Sequence, residues 1–165
     1  MSDKTVETPD PLERLEATDN VQALQHYLLD CIPVLQHMEV GVESVDRDGV
    51  CVTAPLEPNS NHIGTAFGGS LHGLGTLSAW GLLWVLLRAH PDVSLVIRDS
   101  RMRYLEPANG PLRSCCPAPN LGTVNPFLRN ISRRRKSAIE LHSTVESNGR
   151  VCAEFSGVFV AIRKK

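Results

Sequence analysis

Nineteen consecutive residues, Gly69 to Leu87 (GSLHGLGTLSAWGLLWVLL), carry no formal charge. A helix of about 20 apolar residues can span a bilayer. Against a membrane span stand four glycines, Ser70, His72, Thr76 and Ser78 within the segment, no basic cluster just before it, and strand-like patterning after it. The segment is therefore expected as a helix buried inside a soluble fold. A helix that is apolar nearly all round needs cover on most of its sides. A chain of 165 residues and 18.1 kDa has room for one core, and the economical cover is a single sheet curled around the helix.

The rest of the chain supplies that sheet. Residues 1 to about 16 hold Pro9, Pro11 and many charges, and read as a mobile tail before a single domain over 17–165. From Thr18 or Asp19, Val21, Leu24, Leu28 and Cys31 recur at helical spacing until Pro33. Val40 to Val45 and Val50 to Ala54 form extended runs around Asp46-Arg47-Asp48-Gly49, a hairpin signal. Beyond His90-Pro91 the period falls to two, giving strands over 94–105, 112–117, 137–145 and 151–162. Residues 117–126 read as a turn and 127–135 as either a helical turn or a strand start. The expected fold is α+β, a curved antiparallel sheet around one long central helix.

Seventeen Lys and Arg against eighteen Asp and Glu leave a formal charge of -1. No global field draws in nucleic acid or an anionic membrane. The N-terminus lacks the apolar core of a secretory signal, so a cytoplasmic location is expected. Five cysteines, an odd number without metal spacing, are expected to be reduced, and no metal is expected.

Residues 54–71 read APLEPNSNHIGTAFGGSL and continue LHGLGTLSAWGLL to residue 83; with IRDSRMRYLEP at 97–107 and FSGVFVA at 155–161 they carry a resemblance. The chain resembles the hotdog family of "putative thioesterases" that also appears as the C-terminal domain of the bacterial acetyltransferase-like protein YiiD. The resemblance runs from about Leu24 to Ile162. It implies the hotdog fold, a homodimer or dimer of dimers with sites at the subunit boundary, and an acyl thioester of coenzyme A or acyl carrier protein as substrate. Coenzyme A enters only as part of the substrate, and no separate cofactor is implied.

A thioester carbonyl gains negative charge when attacked, and the first turn of a helix offers unpaired N–H groups to receive it. Gly68 and Gly69 lie where that turn is expected and would let a carbonyl approach closely. Just upstream, Asn61 could hold a water or the carbonyl, and His62 could act as base or donor; both could equally be loop-satisfying residues.

PaaI-like thioesterases carry Asn-x-x-Gly-x-x-His-Gly-Gly and an acid seven residues on. This chain keeps Asn61, Gly64, Gly68 and Gly69 but has Phe67 for the His and Thr76 for the acid. The Glu of hydroxyacyl dehydratases also falls on Thr76, which argues against dehydration. Thr76 could orient a water or bond its own backbone.

Asp99, eight residues before Pro107, is similar in placement to the water-activating Asp of TesB-like thioesterases. It is expected on a central strand as the catalytic carboxylate, the rival being an ion pair with Arg98 or Arg101. His72 is expected as a buried core histidine, and Trp80 and Trp84 as core. Arg129, Arg133, Arg134 and Arg135 suit the phosphates of coenzyme A, or form a solvated basic turn. The leading expectation is a thioester hydrolase. A non-catalytic acyl-CoA or acyl-carrier-protein binding module is the alternative, with a partner domain for an acetyltransferase third.

Overall fold

A computed structural model describes residues 10–164. Six strands form one antiparallel sheet, β1 (Gly41–Asp46), β2 (Gly49–Ala54), β3 (Val93–Tyr104), β4 (Leu112–Pro117), β5 (Lys136–Ser147) and β6 (Arg150–Arg163). Their spatial order is β1-β2-β4-β5-β6-β3. Helices α1 (Asn20–Cys31), α2 (Val34–His37), α3 (Gly68–Leu87) and α4 (Leu121–Arg134) complete the chain. The sheet curls around α3, the hotdog arrangement.

Thirteen of the twenty residues of α3 are buried, which places this long apolar helix inside the sheet. The other seven are informative. Gly68, His72, Thr76, Trp80 and Trp84 recur every four residues, with Gly69 and Gly73 beside them, so α3 shows one half-open stripe. That stripe runs along β3: Tyr104 Oη donates to the Gly68 carbonyl at 3.1 Å, His72 Nε2 lies 3.1 Å from Ser100 Oγ, and Trp80 Nε1 donates to the Leu95 carbonyl at 3.4 Å. Trp80 and Trp84 are thus half-buried rather than core, covered by Tyr27 of α1 at ring distances of 5.8 and 5.0 Å.

Polar groups against the buried side of α3 are paired. Ser143 Oγ donates to the Gly75 carbonyl at 2.8 Å, and the Ser78 and Ser114 hydroxyls lie 3.0 Å apart. Gly75 is needed for close approach, because a Cβ there would sit 2.8 Å from Phe155 Cβ, whereas one at Gly73 would meet only Met38 Cε at 3.6 Å. Gly73→Ala should therefore raise stability by up to about 1 kcal/mol through helix propensity. Gly75→Ala should lower it by about 1–2 kcal/mol through overpacking. Thermal melts of the two variants check the opposite signs.

Four further expectations change here. Residues 10–16 are not a free tail: Asp10 caps a 3-10 turn over Pro11–Glu16 by accepting from the Leu12 N–H at 2.9 Å, Leu15 is fully buried, and Arg14 donates to the Leu86 carbonyl at 2.6 Å. The part of the expected tail before residue 10 lies outside the described residues. The expected turn at 117–126 contains the start of α4, whose first turn is capped by Asn120 accepting from the Thr123 N–H at 3.0 Å. β3 is not central but an edge strand, paired with β6 alone.

The cysteines are the fourth. Cys51 and Cys115 form a disulfide, because they stand directly opposite on β2 and β4 with Cα atoms 4.2 Å apart. A separation of 64 residues hides that pairing from the sequence. Of the three thiols, Cys31 is exposed while Cys116 and Cys152 are buried, and burial pushes the Cys116 thiol up to about 12. The thiolate is the reactive form. A disulfide reagent added to native, never-reduced protein should find one fast thiol, Cys31, and all five only after reduction and denaturation. Three fast thiols would contradict the pairing.

Candidate functional site

The half-open stripe begins at the N-terminus of α3. The segment before it is tied down by backbone bonds from Ala66 to the Ala108 carbonyl (2.8 Å) and from Phe67 to the Asn59 carbonyl (2.7 Å). Phe67 stays extended, and Leu71 makes the first helical bond, to the Phe67 carbonyl at 3.1 Å. The N–H groups of Gly68, Gly69 and Ser70 therefore have no partner inside the helix, and no side chain caps them. They sit at the positive end of a twenty-residue helix dipole.

The glycines make room for two aromatic rings. A Cβ on Gly69 would fall 2.3 Å from Phe67 Cε1, and one on Gly68 would fall 3.3 Å from Tyr104 Cε1. Beside them lies a cavity of about 310 Å³ lined by Thr65, Gly68, Leu71, Tyr104, Glu106 and Ala108.

One turn on, His72 is half-buried, its ring 5.5 Å from that of Phe155 and its Nε2 held by Ser100. A histidine within hydrogen-bond reach of a hydroxyl, facing solvent one turn from free N–H donors, can move a proton and receive an oxyanion in one place. His72 is therefore not the buried core histidine that the sequence leads one to expect. The only signal for it in sequence was its four-residue spacing from Gly68 and Thr76.

The expected site residues divide accordingly. Gly68, Gly69 and Thr76 are on the stripe. The Thr76 hydroxyl donates to the His72 carbonyl at 2.9 Å, the backbone-bonding alternative. Asn61 closes its own loop: its Nδ2 donates to Thr65 Oγ1 (2.9 Å) and the Ala66 carbonyl (3.3 Å), while its Oδ1 accepts from the Ile63 and Thr65 N–H groups. His62 is exposed on that loop.

Asp99 is exposed and points away from α3. It stands opposite Val158 after a bulge at Arg98, whereas the next residue, Ser100, stands opposite Gly157 and reaches His72. Among the described residues Asp99 makes no ion pair, with Arg98 or Arg101 or any other cation.

The arginines are remote within one chain. Arg129 lines a cavity of about 780 Å³ with Arg14 and His90, beyond the C-terminal end of α3. A twenty-residue helix is about 30 Å long, which separates them from Gly68. Burial, with Arg14 and Arg163 behind it, holds the His90 imidazole below its usual range. Arg133, Arg134 and Arg135 are exposed at the end of α4, where Arg135 takes the left-handed conformation (φ 61°) that closes the helix.

With this geometry in place, comparison with known proteins is decisive for the family. The family described as "Putative thioesterase (yiiD_Cterm)" matches residues 21–163. The chain belongs to that family. Among solved structures, a protein of unknown function from Chlorobaculum tepidum is 27% identical with a TM-score of 0.83, over 87% of this chain and 94% of its own. A "putative thioesterase" from Shewanella oneidensis is also 27% identical, with a TM-score of 0.79 over 88% and 99% of the two chains. A probable thioesterase from Pseudomonas aeruginosa shares the fold at 19% identity and a TM-score of 0.70, over 86% and 95%. α3, the one helix among the described residues that meets the length and composition of a membrane span, is here the wrapped core helix, most of it buried.

Proposed function

We propose that the protein hydrolyses acyl thioesters carried on coenzyme A or on acyl carrier protein, acting as a homodimer. The observation that carries this reading is the His72–Ser100 pair one turn from the uncapped N–H groups of Gly68 and Gly69. Family membership supports the reaction class.

The chemistry follows from these positions. The thioester carbonyl oxygen points to the first turn of α3, where N–H donors and dipole favour the charge that develops there. His72 takes a proton from water as the water oxygen bonds to the carbonyl carbon. Ser100 fixes the imidazole. When the tetrahedral intermediate collapses, the C–S bond breaks and the thiolate takes the proton from His72, leaving acid and thiol. An oxyanion donor of this kind contributes on the order of 3 kcal/mol.

The test is loss of thioester absorbance over a panel of acyl-CoAs and an acyl carrier protein, with binding measured in parallel by calorimetry. Hydrolysis of at least one substrate is expected. Binding without hydrolysis would instead identify an acyl-carrier binding module, and neither would overturn the reading altogether.

A further inference from the structure

The sheet holds a groove of about 670 Å³ that runs from the partly exposed Cys51, Arg113 and Cys115 down to the buried Ser143 and Phe155. It opens where β4 and β5 part: their ladder runs from Leu112 opposite Ser147 to Cys115 opposite Thr144 and stops, although both strands continue. The Cys51–Cys115 disulfide forms part of its wall, and both residues are partly exposed.

Arg113 lies against one sulfur of the pair. Its Nη2 is 3.2 Å from Cys51 Sγ, while its other nitrogens are held by Glu43 and, at 2.9 Å, by Glu146. The two carboxylates keep the guanidinium protonated and fixed over Cys51.

We propose that Cys51–Cys115 is an exchangeable disulfide and a modification site for small cationic thiols, with Cys115 the sulfur that is modified. A disulfide opens when a thiolate attacks one sulfur and the other departs, and departure is faster for the sulfur whose thiolate is better stabilised. The N–H that Arg113 donates to Cys51 Sγ provides that stabilisation. Only attack on Cys115 releases the thiolate beside Arg113. The new bond is Cys115 Sγ to the incoming sulfur, the bond broken is Sγ–Sγ, and the electron pair stays on Cys51. A second thiol then displaces Cys115 and leaves as the small disulfide, so two thiols are oxidised for one disulfide reduced.

Two features set the class of thiol. Glu154 is matched by Arg103 and Arg113 is clamped by its two glutamates, so Asp46 and Asp48 leave the rim acidic. An aminothiol such as cysteamine suits that rim better than an anionic thiol. Opening needs no unfolding, because β2 and β4 remain paired along Gly49–Ala54 and Leu112–Pro117.

The test uses the full chain with the exposed thiol removed (Cys31→Ser), purified without reductant. The native protein is treated with cysteamine, trapped with N-ethylmaleimide and mapped by tandem mass spectrometry. The expected result is cysteamine on Cys115 and maleimide on Cys51, with opening slowed about tenfold by Arg113→Met and restored by Arg113→Lys. The adduct on Cys51, or free thiols at Cys51 and Cys115 in the untreated protein, would overturn the proposal. So would an opening rate indifferent to both Arg113 variants. If Arg113→Met does not fold, the position of the adduct in the parent protein decides alone.

Discussion

Replacement of His72 by glutamine should lower kcat for thioester hydrolysis about 100-fold or more while leaving KM and the melting temperature close to those of the parent. Glutamine can keep a hydrogen bond to Ser100 and roughly fill the space against Phe155, but it cannot accept and return a proton at neutral pH. The loss therefore isolates proton transfer from packing. Ser100→Ala should cost about tenfold, since it frees the ring to rotate without removing it. No acyl-enzyme should accumulate, because water and not the Ser100 hydroxyl attacks; a stable acyl adduct on Ser100 by mass spectrometry would reverse that assignment. Asp99→Asn belongs in the same experiment. With its carboxylate on the outer face of β3, the variant should turn over nearly as the parent does. A 100-fold loss at Asp99 with little change at His72 would show that the reacting groups come from elsewhere.

His72 also shows where sequence reasoning ends. The long helix was legible because nineteen uncharged residues leave few alternatives, and the strands because side chains alternate with period two. The hairpin was legible from Asp48-Gly49. Function on the helix was not, since His72 gains meaning only from Ser100, 28 residues later. Alternation also misleads at Asp99, where the bulge at Arg98 exchanges the faces of everything beyond it.

Helix α4 was obscured by its own residues. Gly122 and Pro126 read as turn signals, yet Asn120 caps the first turn and Val124, Phe127 and Ile131 still keep their apolar face buried. The disulfide and the edge position of β3 are facts of strand order. Strand order depends on long-range pairing that no local pattern encodes.

That edge position carries the second large prediction. Light scattering should give a particle of twice 18.1 kDa, and Val96→Asp combined with Ile97→Asp should give a monomer whose turnover is at least tenfold lower. The twelve residues of β3 offer unpaired backbone groups along one side, and an edge of that length invites a partner strand. Val96, Ile97 and the neighbouring Ile162 are 48, 39 and 40% exposed, apolar side chains where a protected edge would place charges.

A second group of exposed apolar side chains lies at the start of α3 and the end of β3, where Ile63, Phe67, Tyr104 and Leu105 are 70, 58, 56 and 44% exposed. A second copy laid along β3 would therefore cover the edge and the open side of the His72 stripe together, excluding water from the acyl group and strengthening the field at the helix start. Val96 and Ile97 are both exposed and point to opposite faces of the strand, so two aspartates put charge on both sides of the junction. Unchanged circular dichroism with lost dimerisation and lost turnover is the expected triad. A parent protein that is monomeric and fully active would break the link between edge pairing and catalysis.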